Sequence, residues 1–381
     1  MITVISNPSG TPSAQDNLWH IAASDNSGST GMKFVFDIFD GGTQLVRVKQ
    51  FPEPTTGRGY FDAGPVVRNQ ITYAWFTPGQ TVYLKQPSIN GEVAKAYTIK
   101  YGEEVSGITT TNLASATCTA FNWVPPVFGR RQSDLSGKLN KYLTDRPATI
   151  EADIADNVMV PIYTNATLTL KVDTFDASNA LIASTIDTSG YNNAGFVQLN
   201  IGAAAINARL GTIVTAAVKY YDVWFNSFDK IRVYLKCNGR YEPISLHFMN
   251  RYGMFDTAKF GLVSRLTMDV DRKQYRQRDY RFGTNAVTYY DANNVYHDSS
   301  VNYFNAVDHK YKLTMDAPTD AEYQWLSQLI YSPQVYAEIG GSYYPVSIAS
   351  NNYEYSTYVN NRLRPLEIEI NVNQPRNSHL R

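Results

Sequence analysis

Two cysteines in 381 residues, Cys118 and Cys237, leave no short Cys spacing. That excludes a zinc site of the usual kind and a disulfide framework, and both thiols are expected as reduced core residues. The opening Met1-Ile2-Thr3-Val4-Ile5-Ser6-Asn7-Pro8 lacks a basic stretch followed by a long apolar run, so no secretory signal is expected. No stretch approaches the roughly 20 apolar residues of a membrane span. A soluble chain made in a cytoplasm follows as an expectation, and Asn165-Ala166-Thr167 then reads as a chance glycosylation pattern. Net charge is also missing: 34 Lys and Arg balance 34 Asp and Glu. There is no global footprint for nucleic acid or an anionic membrane, and nothing repels like copies at neutral pH. No phosphate-cradling loop is present, because Gly57-Arg58-Gly59 has no following helix or Lys-Ser/Thr. The five histidines, His20, His247, His297, His309 and His379, are scattered without ligand spacing, and His247 lies in an apolar run that suits a core residue.

Tyrosine is abundant, with 28 residues against 17 Phe and 5 Trp. Aromatic and β-branched residues favour strands, and tyrosine also suits interfaces. Short strand patterns dominate, among them 33–39, 45–49, 81–84, 96–101, 166–172 and 231–235. Gly41-Gly42 and Gly340-Gly341 read as hairpin turns. A faint repeat links Phe39, Leu45, Phe61 and the strand Tyr97–Lys100 to Phe175, Leu181, Phe196 and the strand Ile231–Leu235, at offsets near 135 residues. Such a steady offset predicts two copies of one sandwich.

The expected fold is mainly β: two tandem immunoglobulin-like or fibronectin-like β-sandwiches, then a β-rich domain with one packed α-helix. The expected boundaries are 1–108 for the first sandwich, 109–150 for an extended connector, 151–240 for the second and 241–381 for the last domain. In the connector, Pro125-Pro126 excludes helix and breaks a central strand. In the last third, Leu262, Leu266, Met268 and Val270 alternate as inward candidates. Thr319 and Glu322 suggest a capping box that opens a helix at about 320–331, with Trp325, Leu326, Leu329 and Ile330 as its apolar stripe. Leu366–Val372 alternates as a half-buried strand, and the tail from Asn373 is polar.

Few residues carry a chemical pattern. Glu103-Glu104 reads as a solvated strand end, and Asp269 with Asp271 as neighbours on one strand side, about 7 Å apart. Both are bland beside the paired carboxylates of a glycan hydrolase. The stretch Arg272-Lys273-Gln274-Tyr275-Arg276-Gln277-Arg278-Asp279-Tyr280-Arg281 interleaves cations with aromatics, a pattern that also grips single-stranded nucleic acid. With balanced total charge, an arm to a neighbouring subunit is preferred. Candidate subunit contacts are therefore Trp123, Pro125, Pro126, Arg130 and Arg131, with Arg272, Lys273, Arg276, Arg278 and Arg281. Tyr343-Tyr344, Tyr353, Tyr355 and Tyr358 form a cluster suited to a cross-strand ladder or an interface.

Several patches together carry a resemblance. Asn7-Pro8 through Trp19, Phe34–Phe39 and Gly59-Tyr60-Phe61-Asp62 are similar to the N-terminal sandwich of tail or baseplate structural proteins of tailed bacteriophages that infect Bacteroidetes bacteria. Tyr142-Leu143-Thr144-Asp145-Arg146-Pro147 is similar to a connecting segment there, and Phe248-Met249-Asn250-Arg251-Tyr252-Gly253-Met254-Phe255-Asp256 resembles a strand-turn signature. Trp325-Leu326, Ser332-Pro333 and Pro345-Val346 also resemble that pattern. The resemblance implies a non-enzymatic virion structural role without cofactors. The implied partners are copies of the chain and other tail proteins, with no nucleic acid and no membrane insertion. The alternative is a receptor- or carbohydrate-binding tail protein facing a host surface glycan, and a more distant one a tail-associated glycan hydrolase.

Overall fold

A computed structural model describes residues 1–381 except 74, 76, 86–90, 126–134, 193–194, 237–241, 317–318, 350–364 and 373–381. The chain is mainly β, at 51% strand and 8% helix. It divides into two compact units. The first holds Met1–Asn238, His247–Ala258 and Asp320–Pro333, and the second Gly239–Leu246, Lys259–Thr319 and Gln334–Arg381.

The first unit opens with β1 (Ile2–Ser6), β2 (Trp19–Ser24), β3 (Lys33–Asp40), β4 (Thr43–Gln50) and β5 (Gly59–Asp62), followed by the short helix α1 (Gly64–Arg68). After β6 (Tyr83–Lys85) come β7 (Ala94–Val105) and β8 (Ile108–Phe121). Two sheets form, β1-β2-β5 and β4-β3-β7-β8. Their inward residues share one core, in which Ile2, Ala22 and Phe61 meet Phe34, Phe36, Ile38, Tyr97 and Ile99. The expected boundary at 108 falls in a hairpin: Val105 pairs with Ile108 around a turn whose Ser106 and Gly107 both have positive φ. The first part of the expected connector is therefore strand.

The unit continues with β9 (Lys141–Tyr142), β10 (Thr149–Ala152), β11 (Met159–Thr164), β12 (Leu170–Phe175), β13 (Leu181–Ile186), β14 (Gly195–Asn200), helix α2 (Ala203–Leu210), β15 (Tyr220–Phe225) and β16 (Ile231–Leu235). The sheets are β6-β14-β11-β9 and β10-β16-β15-β12-β13, around a second core. The strand expected over 166–172 starts later, at Leu170, because Leu168 makes only an isolated bridge to Tyr191.

Strand order repeats between the two halves. β4-β3-β7-β8 matches β13-β12-β15-β16, and β1-β2-β5 matches β9-β11-β14. The hairpins β3-β4 and β12-β13 even carry a register shift at the same place, between Ile38 and Phe39 and between Thr174 and Phe175. Local wiring repeats as well. Asp62 Oδ1 accepts from the amides of Leu18 (2.7 Å) and Gly64 (2.9 Å), and Asn200 Oδ1 accepts from those of Val158 (3.0 Å) and Gly202 (3.0 Å). Ala63 N–H donates to Leu18 O, and Ile201 N–H to Val158 O, both at 2.9 Å. Two of the matches expected from sequence are displaced. Phe61 corresponds to Leu199 rather than Phe196, since Asp62 and Asn200 are the equivalent residues. Tyr97–Lys100 lies in β7, whose counterpart is β15, whereas Ile231–Leu235 is β16 and corresponds to β8. The offset drifts because 32 residues lead from Asp62 to the start of β7 but only 20 from Asn200 to the start of β15, and because β7 and β8 are longer than β15 and β16, so a near-constant spacing holds only up to Asp62 and Asn200.

Next come β17 (Ile244–Met249) and β18 (Phe255–Phe260), within which the unit boundaries fall. The second unit has β19 (Arg265–Arg276), β20 (Arg281–Phe282), β21 (Val287–Thr288) and β22 (Ser300–Met315). The helix α3 (Asp320–Tyr331) belongs to the first unit, and the hairpin β23 (Val335–Ile339) with β24 (Ser342–Ile348), then β25 (Leu366–Val372), to the second. Within the second unit the sheet runs β23-β24-β25-β22-β19. The helix was expected in the last domain at about 320–331; its residues match, but it packs with the first unit, burying Trp325, Leu326, Gln328 and Leu329. Leu366, Ile368 and Ile370 are buried and Glu367 and Glu369 exposed, as alternation requires.

Each repeated Asx side chain leads into a glycine pressed against backbone. A Cβ on Gly64 would lie 2.6 Å from Asp16 O, and one on Gly202 2.2 Å from Asp156 O. Gly64→Ala and Gly202→Ala should each lower the unfolding free energy by about 2 kcal/mol or more, with Gly202→Ala the worse. Gly42→Ala, where the added methyl meets open space, serves as the control in chemical denaturation.

Candidate functional site

Three of the segments that carry the resemblance, Tyr142–Pro147, Phe248–Asp256 and Trp325-Leu326, belong to the first unit and meet there. Asn250 starts a tight turn, with Gly253 N–H on Asn250 O (3.0 Å) and the Tyr252 amide on Asn250 Oδ1 (2.9 Å). Gly253 sits at φ +75 with Asn122 O where a Cβ would be, so the turn admits only glycine there. Asn250 Nδ2 then donates to Leu143 O at 2.8 Å, tying the turn to the Tyr142–Pro147 segment.

Asp145 is the hub. Arg251 approaches it twice, Nε at 2.7 Å from Oδ2 and Nη2 at 3.1 Å from Oδ1. Tyr252 Oη donates to Oδ1 at 2.9 Å, and Gln328 Nε2 on α3 to Oδ2 at 2.9 Å. Gln328 Oε1 in turn accepts the Arg251 amide at 2.9 Å. One carboxylate thereby joins three segments 106 and 183 residues apart in sequence. Beside it, Asp256 is fully buried and accepts from Thr144 Oγ1 (2.7 Å) and Trp325 Nε1 (2.8 Å). Arg146 lies 4.8 Å over the Trp325 ring. Gln198, also fully buried, clasps the Phe255 backbone both ways, donating to its carbonyl at 2.8 Å and accepting from its amide at 3.1 Å. These contacts tie the segments together inside the fold, leaving Arg251 Nε and Asp256 Oδ1 buried without a hydrogen-bond partner among the described residues.

The expected contact residues fall into three groups. Trp123 is 4% exposed, in a core with Leu143, Phe196, Tyr252 and Met254, and its Nε1 donates to Thr11 O at 3.1 Å. Pro125 is buried too, and the Val124 amide bonds Arg251 O at 2.7 Å. The start of the expected arm is therefore core: an indole beside two prolines reads as an exposed arm only until its donor finds a buried acceptor. Pro126, Arg130 and Arg131 lie outside the described residues, as do Cys237, Tyr353, Tyr355 and Tyr358. Arg272, Lys273, Arg276, Arg278 and Arg281 are exposed, on β19 and the segment that follows it.

β19 is exposed at all twelve residues, and it pairs with β22 from Arg265↔Lys312 to Arg276↔Ser300. At about 3.3 Å per residue the paired ribbon is some 40 Å long. Leu266, Met268 and Val270, expected to face inward, are 48%, 59% and 44% exposed. Alternation assigned them to one face correctly, but β19 ends its sheet and that face is exposed among the described residues. Tyr275, Phe282, Tyr289, Tyr290 and Tyr296 extend the exposed apolar surface. Lys273 covers the Phe304 ring at 5.3 Å, and Arg278 lies 5.9 Å from both Tyr280 and Phe282.

The carboxylate pairs are engaged. Glu104 binds Lys33 (3.1 Å), Lys49 and Thr109, which together hold it well below the usual carboxylate range, at about 2. Glu103 accepts from Ser24 and Asn26. Both lie in β7 rather than in a solvated turn. Asp269 pairs with Lys310 at 2.6 Å. His247 Nδ1 bonds Thr257 Oγ1 at 2.9 Å in the core. Among the described residues no group of three or more His, Cys, Asp or Glu could hold a metal ion, and no helix is long and apolar enough to cross a membrane. A cleft of about 340 Å³ lies against the Tyr142–Pro147 segment. No protein-family model matches the chain, and no curated protein matches it.

Asp145→Ala strands the Arg251 guanidinium and the donors of Tyr252 and Gln328, so it should destabilise the first unit by about 2–4 kcal/mol in denaturant titration. Asp256 predicts a pH signature. Burial outweighs the Trp325 and Thr144 hydrogen bonds and pushes its carboxyl up to about 6. The fold therefore favours the neutral acid. That contribution is complete below the unfolded value near 4 and is lost as pH rises through about 6. Asp256→Asn is neutral throughout, so its stability relative to wild type should rise between pH 4 and 7, by up to about 3 kcal/mol. A difference that stays flat across that window would show that the carboxyl ionises normally.

Proposed function

We propose that this protein is an architectural subunit of a large assembly, a tail or baseplate component of a bacteriophage virion, joining copies of itself into a ring or hub. The exposed ribbon carries this reading. A lone folded chain has no use for twelve uncovered strand residues with an apolar face, whereas exposed apolar surface of this extent is typical of interaction sites. The free edge of β19 also offers unpaired backbone groups to another strand. Along β19 and the segment after it, Arg272, Arg276, Arg278 and Arg281 can form forked pairs with a neighbour's carboxylates and Lys273 a simple ion pair. Balanced total charge lets identical copies approach, and in a closed ring each modest contact is repeated. The phage assignment rests on the resemblance of the signature segments, which in this fold knit one unit together. In that reading the two repeats are tandem immunoglobulin-like sandwiches, rigid spacers between contact surfaces, and the chain is a non-catalytic protein without a cofactor.

Sedimentation velocity of the purified chain tests this. Wild type should form concentration-dependent oligomers of one defined size. A variant carrying Leu266→Ser, Met268→Ser, Val270→Ser, Arg276→Glu and Arg278→Glu should sediment as a monomer, with a first-unit unfolding midpoint unchanged within about 1 kcal/mol because exposed side chains contribute little. A wild type that stays monomeric, or a variant that assembles equally well, would overturn the reading.

A further inference from the structure

The cleft beside Tyr142 lies wholly within the first unit and plays no part in the assembly reading. It is walled by the β9 and β10 region on one side and by residues 227–231 on the other. Its volume, about 340 Å³, is at the small end of ligand sites. The lining is strongly biased in charge. Lys138, Lys141, Arg146 and Lys230 contribute four cations, against the single carboxylate of Asp229.

Cations such as Arg47, Arg232 and Lys310 are paired with carboxylates across strands; those of the cleft are not all so. Lys230 is shared with Asp173 at 3.1 Å and with the Trp224 ring at 4.0 Å. Lys138 sits over the Tyr252 ring at 5.2 Å, and burial lowers its ammonium from the ordinary value, with Arg251 and Lys141 adding to this and Asp145 opposing it. Lys141 is exposed. Arg146 is the most telling. Its Nη1 is buried with no hydrogen-bond partner among the described residues, and so is Tyr142 Oη. Two buried, unsatisfied polar atoms on residues that line the same cleft cost the fold about 1–3 kcal/mol each unless something fills them. The apolar part of the wall is a ring pair, Tyr142 and Phe228, 5.8 Å apart edge to face.

We propose that this cleft binds an oxyanion, a phosphate or carboxylate carried on a ligand of about monosaccharide size. The oxyanion satisfies Arg146 and Tyr142 and is held by Lys138 and Lys141, and the aromatic wall takes the apolar face of the ligand. Arg146 suits this because its planar fork matches a two-oxygen anion. An anion also relieves the mutual repulsion of the cations, which Asp229 in the cleft wall offsets only in part, together with Asp256 and Glu322 near Arg146, Asp145 near Lys138 and Asp173 on Lys230.

Isothermal titration of the full chain with glucose 6-phosphate, glucuronate, inorganic phosphate and glucose tests the proposal and separates the sources of the anion. At least one sugar anion should bind ten times or more tighter than glucose and more tightly than inorganic phosphate. Which of the two wins tells phosphate from carboxylate. Lys141→Gln, exposed and outside the core, should weaken that binding about tenfold while leaving the unfolding midpoint unchanged. Arg146→Gln should weaken it further; should that variant unfold, Lys141→Gln together with Lys230→Gln decides. The ribbon variant should bind as wild type does, so failure of the assembly reading leaves this one standing. Glucose binding as tightly as the anions, inorganic phosphate binding as tightly as both sugar anions, no saturation by about 20 mM, or affinity untouched by the lysine variants would each overturn it.

Discussion

The bonding of Asp145 is the constraint on which the first unit depends. Three hydrogen bonds, from Arg251 Nη2, Tyr252 and Gln328, converge on its two oxygens, with Arg251 Nε as a further ion-pair contact. The repeats alone are closed sandwiches with their own cores, and they do not explain how residues 247–258 and 320–333 come to belong with them. Apolar burial brings Trp325, Phe248 and Met254 inward, but a nondirectional force does not choose a register. The carboxylate does, because planar Arg251 and the amide of Gln328 meet it in one geometry only. Asp256 adds a second fixed point where Thr144 and Trp325 share one oxygen. The arrangement concentrates risk: a buried network is valuable when complete and costly when one member is removed.

A second layer of order comes from repetition. Asp62 and Asn200 perform one task with different chemistry, an acid in one half and an amide in the other, each bridging the entry of a strand and the start of a helix. A neutral amide accepts the same two N–H bonds, so the substitution leaves the geometry intact. The halves diverge where geometry is free to vary: β7 and β8 run to twelve and fourteen residues, but β15 and β16 to six and five. The second half also recruits β6 and β10 as added sheet edges, which covers strands that would otherwise lie open.

Much of this was legible in the sequence, for identifiable reasons. Hairpins at Gly41-Gly42 and Gly340-Gly341, the α3 helix and the alternation of Leu366–Val372 are local, and local chemistry writes them directly. The repeat was visible around Phe39 and Phe175 because the hairpins there agree in length, and it was misaligned further on because the connections into β7 and β15, and then the strands themselves, do not. The Asx-x-Gly pairs, Asp62-Ala63-Gly64 and Asn200-Ile201-Gly202, were a signal that would have corrected the alignment. His20 was unreadable: it is fully buried, bonded to Tyr97, Tyr101 and Asn7, and lowered to about 4 by burial, yet its neighbours in sequence show none of this. Asp145, Gln198 and Gln328 are likewise polar residues whose partners lie 57 to 183 residues away. The exposure of Leu266, Met268 and Val270 was hidden for the opposite reason. A period of two says which residues share a face, and says nothing about whether a second layer covers it.

Zero net charge turns out to be a sum of unlike regions. Within the sheets of the first unit, carboxylates and cations cancel across adjacent strands, as Asp37 with Arg47, Asp222 with Arg232, and Glu104 with Lys33 and Lys49. Such pairs hold side chains in register more than they add stability, since exposed partners are screened. The first unit as a whole is not basic, with 20 Lys and Arg against 22 Asp and Glu, yet four cations gather at the cleft around Arg146. In the second unit a further set of exposed cations lies along the segment from Arg272 to Arg281. The cleft is small and partly open, with cations of differing burial around it, which favours a small anion able to enter and satisfy unfilled donors. The ribbon is open, and its cations lie beside aromatic rings and an apolar face, which favours a broad macromolecular surface. Total charge was blind to both, because it averages over the two length scales that separate a ligand site from an interface.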